Sequence, residues 1–177
     1  SEVHGADDAQ ETFAINLSGA SLSEDDFLGF VCDQFERFAI PHQSICFEIT
    51  ETNAVTSLSK ATDFMRALQA RGCRFAPDDF GVGLSSFSYL KHLPADFVKI
   101  DGSFVVDMLQ NPVNHAMVQA IHNMGHILGK KTIAESVETV AIPDALDAIG
   151  VDYAQGFAVA PPRIFGQLRR APAGKQR

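Results

Sequence analysis

Short apolar runs rich in β-branched and aromatic residues alternate along the chain with longer stretches in which apolar residues recur at helical spacing. The apolar runs predict six strands, at Phe13–Leu17, Ile45–Ile49, Arg74–Ala76, Phe97–Ile100, Thr132–Ala134 and Asp152–Phe157. The amphipathic stretches predict four helices, at Glu24–Phe38, Ser59–Arg71, Pro112–Leu128 and Thr139–Ile149. Strands that alternate with helices pair in parallel through right-handed crossovers. The pattern therefore predicts an α/β fold of about six strand–helix units, with a parallel sheet.

The predicted helix ends carry local signals of their own. Ser23, followed three residues later by Asp26, predicts a helix N-cap pair. Gly72, Gly129 and Gly150 each follow a helical pattern, where a left-handed C-terminal cap favours glycine. Several strands are apolar with little alternation, which is typical of strands covered on both faces.

The length of 177 residues suits one domain with a substantial core. A closed barrel of eight units typically needs about 250 residues, so a barrel built from this chain would lack about two units. We expect one domain over residues 1–165. The residues 166–177 carry basic side chains among Ala, Pro and Gly, and we expect them to form a flexible tail.

The charge and the apolar content exclude some partners. The net charge of −8 argues against DNA binding through phosphate contacts. No apolar run approaches the ~20 residues of a membrane span, and the start of the chain lacks the features of a signal peptide, so we expect a cytoplasmic domain without membrane contact of its own. The parent protein could still be anchored through upstream segments. Cys32, Cys46 and Cys73 show no CxxC spacing and are expected to be free thiols.

Polar residues cluster at the predicted carboxyl end of nearly every strand. They are Asn16, Glu48 with Glu51, Asp78 with Asp79, Lys99 with Asp101, Glu135 with Glu138, and Gln155. The carboxyl ends of parallel strands meet on one face, where ligands bind in such folds. Acidic residues at strand ends also serve as helix N-caps, and that alternative explains any one of them, but it explains the whole set less well.

Several buried carboxylates at the carboxyl ends of neighbouring strands would be strongly unfavourable unless cations compensated their charge. The candidate metal ligands are all oxygen donors, which favours Mg²⁺ or Mn²⁺, and they are Asn16, Glu48, Asp78, Asp79 and Glu135. Adjacent aspartates can serve two ions, and two ions suit an in-line phosphoryl displacement. Lys99 could stabilise charge on a phosphate or orient the attacking water, and Glu135 could accept its proton or hold a metal ion.

Six segments together resemble the motifs of EAL domains in order and spacing. They are Asn16–Ser18, Phe47–Thr52, Asp78–Ser86, Val98–Asp101, Ile133–Glu138 and Asp152–Gly156. The resemblance implies a TIM-like (β/α) barrel of the EAL type and a bacterial phosphodiesterase that hydrolyses cyclic di-GMP to pGpG with two Mg²⁺ or Mn²⁺ ions. It also implies upstream GGDEF or sensory domains and dimer contacts near the loop that follows Asp79.

The resemblance assigns a role to each polar residue. Metal ligands would be Asn16, Glu48, Asp78 and Asp79, while Lys99 and Glu135 would contact the catalytic water or the phosphate. Gln155 would lie beside them, and Glu51 would hold the loop after Asp79. Substrate contacts are expected from Asn16, Asp101, Glu138 and Gln155. Val82, Leu84 and Ser136 replace a threonine, a tyrosine and a glycine that are usual in the family.

The family's Glu-Ala-Leu strand, which carries a further metal-binding glutamate, has no counterpart before Asn16 in this sequence. We therefore expect an N-terminally incomplete barrel that hydrolyses cyclic di-GMP weakly or not at all and tends to self-associate through its open edges. Two alternatives to an active parent enzyme are a non-hydrolytic cyclic di-GMP receptor and a protein-interaction module. The complete Asp-Asp, lysine and glutamate set favours the enzyme.

Other aromatic and basic residues point to no second chemistry. His122 and His126 have a spacing that can bind zinc, but histidines that pack on a helix are the favoured interpretation. Phe80 or Phe157 could stack on a guanine base near the mouth, although most phenylalanines are expected to fill the core.

Overall fold

The computed structural model describes residues 12–24, 26–50, 58–82 and 90–162. Its strands are β1 (Phe13–Leu17), β2 (Ile45–Thr50), β3 (Arg74–Asp78), β4 (Phe97–Ile100), β5 (Lys131–Ala134) and β6 (Tyr153–Ala154). Its helices are α1 (Gly19–Ser23), α2 (Phe27–Phe38), α3 (Leu58–Gln69), α4 (Gly102–Val105), α5 (Pro112–Ile127) and α6 (Ile142–Ile149), with a 3₁₀ turn at His42–Ser44. The predicted alternation of strands and helices is confirmed.

All strand pairs recorded between these elements are parallel. Strands β1, β2 and β3 pair in sequence order, and β4, β5 and β6 do the same. Phe80, just beyond β3, forms a parallel bridge with Ile100 of β4, and the Asp96 N–H donates to the Phe75 carbonyl at 2.9 Å. These contacts place the two sheets side by side. Within the described ranges no pairing joins β1 to β6, so these strands form an open parallel array rather than a closed barrel.

The two faces of the strands pack into separate apolar clusters. Phe47, Phe75 and Val98 belong to the larger cluster, which the strands share with helix residues such as Phe64 and Leu68. The other face contributes one residue from each of five strands to a smaller cluster of Cys46, Ala76, Phe97, Ile133 and Tyr153. This division follows from the alternation of side chains along a strand. The residue two positions further along each strand therefore points to the same side as the member of the smaller cluster.

The predicted helix Glu24–Phe38 corresponds to α2, which begins at Phe27, and a separate short helix, α1, precedes it. The hydroxyl of Ser18 accepts the Ser21 N–H at 3.1 Å and caps α1, so Ser23 ends that helix instead of beginning the next one. Asp26 does hold the N-cap position of α2, but its side chain makes no capping hydrogen bond.

The other predicted helix ends agree with the structure to within a few residues. Gly72, Gly129 and Gly150 have φ angles of +104°, +70° and +95°, which confirms their predicted left-handed conformation. Helix α4 has no counterpart in the predicted set, since one turn leaves too short an apolar pattern to recognise. The predicted strand Asp152–Phe157 is wrong in length, because only two of its residues pair as β6.

No helix within the described ranges is both long and apolar enough to cross a lipid bilayer. The predicted boundary at residue 165, the tail 166–177 and Glu51 lie outside the described residues. The division into domain and tail therefore stays a prediction. Cys46 and Cys73 are buried free thiols, and Cys32 is a half-buried one.

Candidate functional site

The Lys99 ammonium lies among three carboxylates at the carboxyl ends of the central strands. Its Nζ is 2.6 Å from Glu135 Oε1, 2.9 Å from Asp78 Oδ1 and 3.1 Å from Glu48 Oε1. Only 2% of the Lys99 side chain and 4% of the Glu48 side chain are exposed. The structure thus brings together four of the residues that the sequence predicted, from strands β2, β3 and β4 and from the residue that follows β5.

Strand geometry explains why these four side chains meet. Each lies two residues beyond a member of the smaller apolar cluster, as Glu48 does beyond Cys46 and Lys99 beyond Phe97. Because strand side chains alternate with a period of two, each polar residue faces the same side as the apolar residue before it. The parallel register also places Asn16 of β1 opposite Glu48 of β2. Asn16 is exposed on this edge strand.

The electrostatics of the cluster are strongly coupled. Burial by itself would lower the pKa of Lys99, but Glu135 and Glu48 act against it, and the pKa lies well above its ordinary value. Burial raises the pKa of Glu135, and the charges of Asp78 and Glu48 add to this while Lys99 opposes it. The lysine is therefore a fixed positive charge, and Glu135 binds a proton more readily than an ordinary glutamate.

Asp79 and Asp101 lie beside this cluster. Asp79 adopts a left-handed backbone with φ of 56°, and its N–H donates to Asp78 Oδ1 at 3.0 Å. Burial and the charges of Asp78 and Asp101 raise the pKa of Asp79. Asp101 Oδ1 accepts the Ser103 N–H at 2.8 Å, which caps helix α4. Carboxylate oxygens of Asp78, Asp79 and Glu135 lie within 4.8 Å of one another, close enough to share a metal ion.

Gln155 and Glu138 lie on the loops that follow β6 and β5. The two loops pack backbone against backbone, since the Val137 N–H donates to the Gln155 carbonyl at 3.0 Å and the Ala158 N–H donates to Val137 at 2.9 Å. Gln155 Oε1 is buried and accepts no hydrogen bond from the described residues. Such a buried acceptor normally has a partner, so Gln155 points to a bound water, ion or substrate group. Glu138 is exposed.

A cavity of about 1360 Å³ opens beside these residues. Its wall includes predicted site residues, namely Asp79, Asp101, Glu135, Glu138 and Gln155. On the other side the wall is formed by β1 and by the segment between α2 and β2. Phe157 lines the cavity and is 67% exposed, whereas Phe80 is 1% exposed in the core and is excluded as a base-stacking residue.

Ser136 and Gly102 form a close contact that the sequence did not predict. Ser136 has φ of 52° at the position where the resemblance expects glycine. A Cβ atom on Gly102 would overlap the Ser136 side chain, so the glycine makes room for the serine beside the cavity. The departure of Ser136 from the family pattern was the only available signal. The structure shows that a compensating small residue, Gly102, lies at the start of helix α4.

Comparisons with known proteins agree with this arrangement. The family model of the EAL domain matches residues 1–162. Cyclic di-GMP phosphodiesterase PdeB of Shewanella oneidensis is 43% identical over 150 residues, which are 85% of this chain and 18% of PdeB. Cyclic di-GMP phosphodiesterase PdeF of Escherichia coli is 36% identical over 151 residues, which are 85% of this chain and 20% of PdeF. The chain thus spans about a fifth of the length of these two relatives.

Solved structures give the same result. The PaMucR phosphodiesterase in complex with c-di-GMP superimposes with a TM-score of 0.84 at 32% identity, over 89% of this chain and 64% of that one. The manganese/cy-diGMP complex of Klebsiella pneumoniae BlrP1 has a TM-score of 0.77 at 30% identity, over 85% of this chain and 38% of BlrP1. The motifs, the parallel fold and the family match together show that the chain belongs to the EAL domain family.

Proposed function

We propose that this chain is the catalytic portion of a bacterial cyclic di-GMP phosphodiesterase that hydrolyses its substrate to pGpG. The observation that carries the proposal is the buried Lys99 ammonium held within 3.1 Å of three carboxylates at the mouth of the parallel strands. The names of the relatives PdeB and PdeF support the same reaction. We further propose that the open strand array is part of a TIM-like barrel in the complete protein.

The charges at the mouth fit a site for divalent cations. Lys99 compensates only part of the negative charge of the surrounding carboxylates, which are Glu48, Asp78, Asp79, Asp101 and Glu135. A phosphodiester anion would be repelled by this excess unless cations neutralised it. The donor atoms are carboxylate and amide oxygens, so Mg²⁺ or Mn²⁺ is the expected class. The residues that would hold two ions are Asn16, Glu48, Asp78, Asp79 and Glu135.

The bound ions would supply positive charge for the phosphate oxygens and the leaving oxygen. The chain's own groups would do the rest. Glu135 accepts the proton of the attacking water as its oxygen bonds to phosphorus. The bond from phosphorus to the 3′-oxygen breaks, and that oxygen takes up a proton. Lys99 stabilises negative charge on the phosphate, and the unpaired Oε1 of Gln155 can accept a hydrogen bond from the water.

The cavity would hold the nucleotide. Its volume of about 1360 Å³ exceeds the ~300–1,000 Å³ of typical small-molecule sites and leaves room for a dinucleotide. The polar groups proposed to contact the substrate are Asn16, Asp101, Glu138 and Gln155. Phe157 is an exposed aromatic residue of the cavity wall, on the loop that carries Gln155, and we propose that it stacks on a guanine base.

The test is hydrolysis of cyclic di-GMP by the full-length protein with Mg²⁺ or Mn²⁺, with pGpG measured by chromatography. Loss of the general base in Glu135→Gln should reduce turnover about 10²–10⁴-fold. Glu36→Gln changes an exposed glutamate on α2 and should leave turnover unchanged. Equal rates for the two variants would overturn the proposed mechanism.

A full-length protein that binds cyclic di-GMP without forming pGpG would instead identify a receptor. The buried lysine and its three carboxylates argue for the enzyme, since a receptor needs no general base. The proposed partners besides the nucleotide are a second copy of the chain and an upstream GGDEF domain. The second is supported by the relative MucR of Pseudomonas aeruginosa, named a bifunctional diguanylate cyclase/cyclic di-GMP phosphodiesterase.

A further inference from the structure

A second group of possible metal ligands lies at the opposite end of the strands from Lys99. His122 and His126 are one turn apart on α5, and Asp152 immediately precedes β6. One potential ligand atom from each of these residues lies within 4.8 Å of the other two. None of the three residues belongs to the cavity wall or to the carboxylate cluster around Lys99.

The three side chains are held close together by their own elements. His126 Nε2 is 2.7 Å from Asp152 Oδ2, and the two imidazole rings have centroids 4.1 Å apart. Residues four apart on a helix share one face, so α5 presents both rings toward the turn before β6. His122 Nε2 faces this turn, since a Cβ placed on Gly150 would lie 3.5 Å from it.

Hydrogen bonds around the cluster prepare His122 as a ligand. The Thr132 hydroxyl donates to Asp152 Oδ2 at 3.0 Å and lies 2.9 Å from His122 Nδ1. Because a hydroxyl has a single proton, His122 Nδ1–H donates to Thr132 Oγ1. The lone pair of neutral His122 is then on Nε2, on the side of the Asp152 turn. A metal-binding histidine usually donates its other N–H in this way.

The carboxylate of Asp152 is oriented by backbone as well as side-chain groups. Its Oδ2 accepts the Thr132 N–H at 2.8 Å in addition to the hydroxyl. Access differs among the three residues: His122 is 6% exposed, whereas the side chains of His126 and Asp152 are 45% and 21% exposed. The site is therefore fixed on its inner side and open to ions and water on its outer side.

We propose that His122, His126 and Asp152 bind one Zn²⁺-class transition-metal ion, with water as the fourth ligand. Two imidazoles and a carboxylate suit Zn²⁺, Co²⁺ or Ni²⁺ and discriminate against Mg²⁺. Ligand bonds of about 2.0–2.1 Å place tetrahedral donors about 3.3 Å apart, so His122 would have to move toward the other two residues while the short His126–Asp152 pair opens slightly. The exposed His126 side chain can make the second adjustment.

The ion would fasten α5 to the start of β5 and β6, far from the substrate. Ends of barrel strands away from the active site contribute to stability rather than to chemistry. The bound ion should therefore raise the stability of the folded protein without taking part in phosphodiester hydrolysis.

The test uses the full-length protein with CoCl₂ and ZnCl₂ as probes. Tetrahedral Co²⁺ with nitrogen ligands absorbs visible light strongly, whereas Co²⁺ in an octahedral oxygen site absorbs weakly. We expect the strong band in the parent and in Asp78→Asn, and its loss in His126→Ala. His115→Ala is the matched control, because His115 is on the same helix but outside the cluster, and it should keep the band.

Thermal unfolding supplies a second readout. Saturating Zn²⁺ should raise the unfolding temperature of the parent and of His115→Ala by several degrees, as expected for a ligand at about 100 times its Kd. The shift should vanish in His126→Ala. The same Co²⁺ band and Zn²⁺ shift in the parent and in His126→Ala, or neither effect in the parent, would overturn the proposal and leave a plain histidine–carboxylate hydrogen bond.

Discussion

Replacing Lys99 with methionine removes the positive charge at the centre of the carboxylate cluster and keeps most of the side-chain volume. The parent ammonium is paired at 2.6, 2.9 and 3.1 Å with Glu135, Asp78 and Glu48. In the variant without divalent ions, these carboxylates face one another without compensation. They can respond by taking up protons, by admitting water or by moving apart, and each response lowers the free energy of unfolding.

The burial of each partner decides the size of the effect. Asp78 and Glu135 are 14% and 17% exposed, so water can replace part of the lost ion pair. Glu48 is only 4% exposed, so water cannot replace the ion pair that its carboxylate loses. Breaking a buried pair by removing one partner typically costs about 3–5 kcal/mol. Since domains are stable by only about 5–15 kcal/mol, Lys99→Met should be severely destabilised when divalent ions are absent.

Urea unfolding in the presence of a chelator measures this loss. The double variant Lys99→Met/Glu48→Gln should recover about 1–3 kcal/mol of unfolding free energy, because the most buried unpaired charge is gone. Mg²⁺ or Mn²⁺ should restore stability to Lys99→Met more than to the parent. Lys91→Met replaces an exposed lysine and should unfold like the parent.

Two results would refute this reasoning. One is a Lys99→Met protein that unfolds within about 0.5 kcal/mol of the parent in chelator, the range seen for ordinary surface substitutions. The other is a double variant no more stable than the single one. Either would mean that Glu48 is hydrated or protonated rather than paired with the lysine.

Four further outcomes follow from other parts of the structure. Gly156→Ala should lower the unfolding free energy by about 1–3 kcal/mol or more, since its Cβ would lie 2.7 Å from the carbonyl carbon of Val137. Gly29→Ala, on an open helix face, should raise the unfolding free energy by about 0.5–1 kcal/mol. Equal urea midpoints for the two variants would contradict this. A thiol reagent should modify half-buried Cys32 in the folded protein but Cys73 only on unfolding, and equal rates would be contrary evidence. Burial raises the pKa of Cys73 to about 11, so the folded state holds the thiol proton more tightly than the unfolded state does. Cys73 should therefore make the unfolding free energy fall as pH rises from 9.0 to about 11, which urea midpoints would follow. A chelator should abolish pGpG formation and Mg²⁺ or Mn²⁺ should restore it; activity that survives chelation would contradict the proposed metal site.

The sequence predicted that Glu48, Asp78, Lys99 and Glu135 would lie together because they occupy regular positions on or just beyond strands. The predicted boundaries of β1 and β4 match those in the structure, and Lys99 lies two positions after Phe97 of the smaller apolar cluster. Glu135 holds the same position relative to Ile133. A period of two along a strand is a local property, so the sequence alone contains it. The alternation along each strand could not predict that Lys99 contacts three of the carboxylates.

The features that the sequence missed depend on distant contacts or on very short elements. Helix α4 spans one turn and is held by the Asp101 cap more than by an apolar stripe. Asp152 is 26 residues from His126, and no spacing rule joins them. The predicted N-cap at Ser23 failed because Ser23 is the last residue of α1, which Ser18 caps, and Asp26 holds the N-cap position of α2. A helix as short as α1 leaves too little apolar pattern for the sequence to separate it from α2.

Buried charges are compensated differently at the two ends of the strands, and this contrast supports the proposed function. At the amino end, Lys130 Nζ donates to the Leu93 and Ala95 carbonyls at 3.0 and 2.9 Å, so a buried charge is matched by nearby acceptors. At the carboxyl end, Glu48 is 3% exposed within an excess of negative charge. A well-packed apolar residue at position 48 would be as stable or more stable than a buried ion pair. A protein that needed only to fold would have no physical reason to keep this glutamate, whereas one that holds cations and a phosphodiester does.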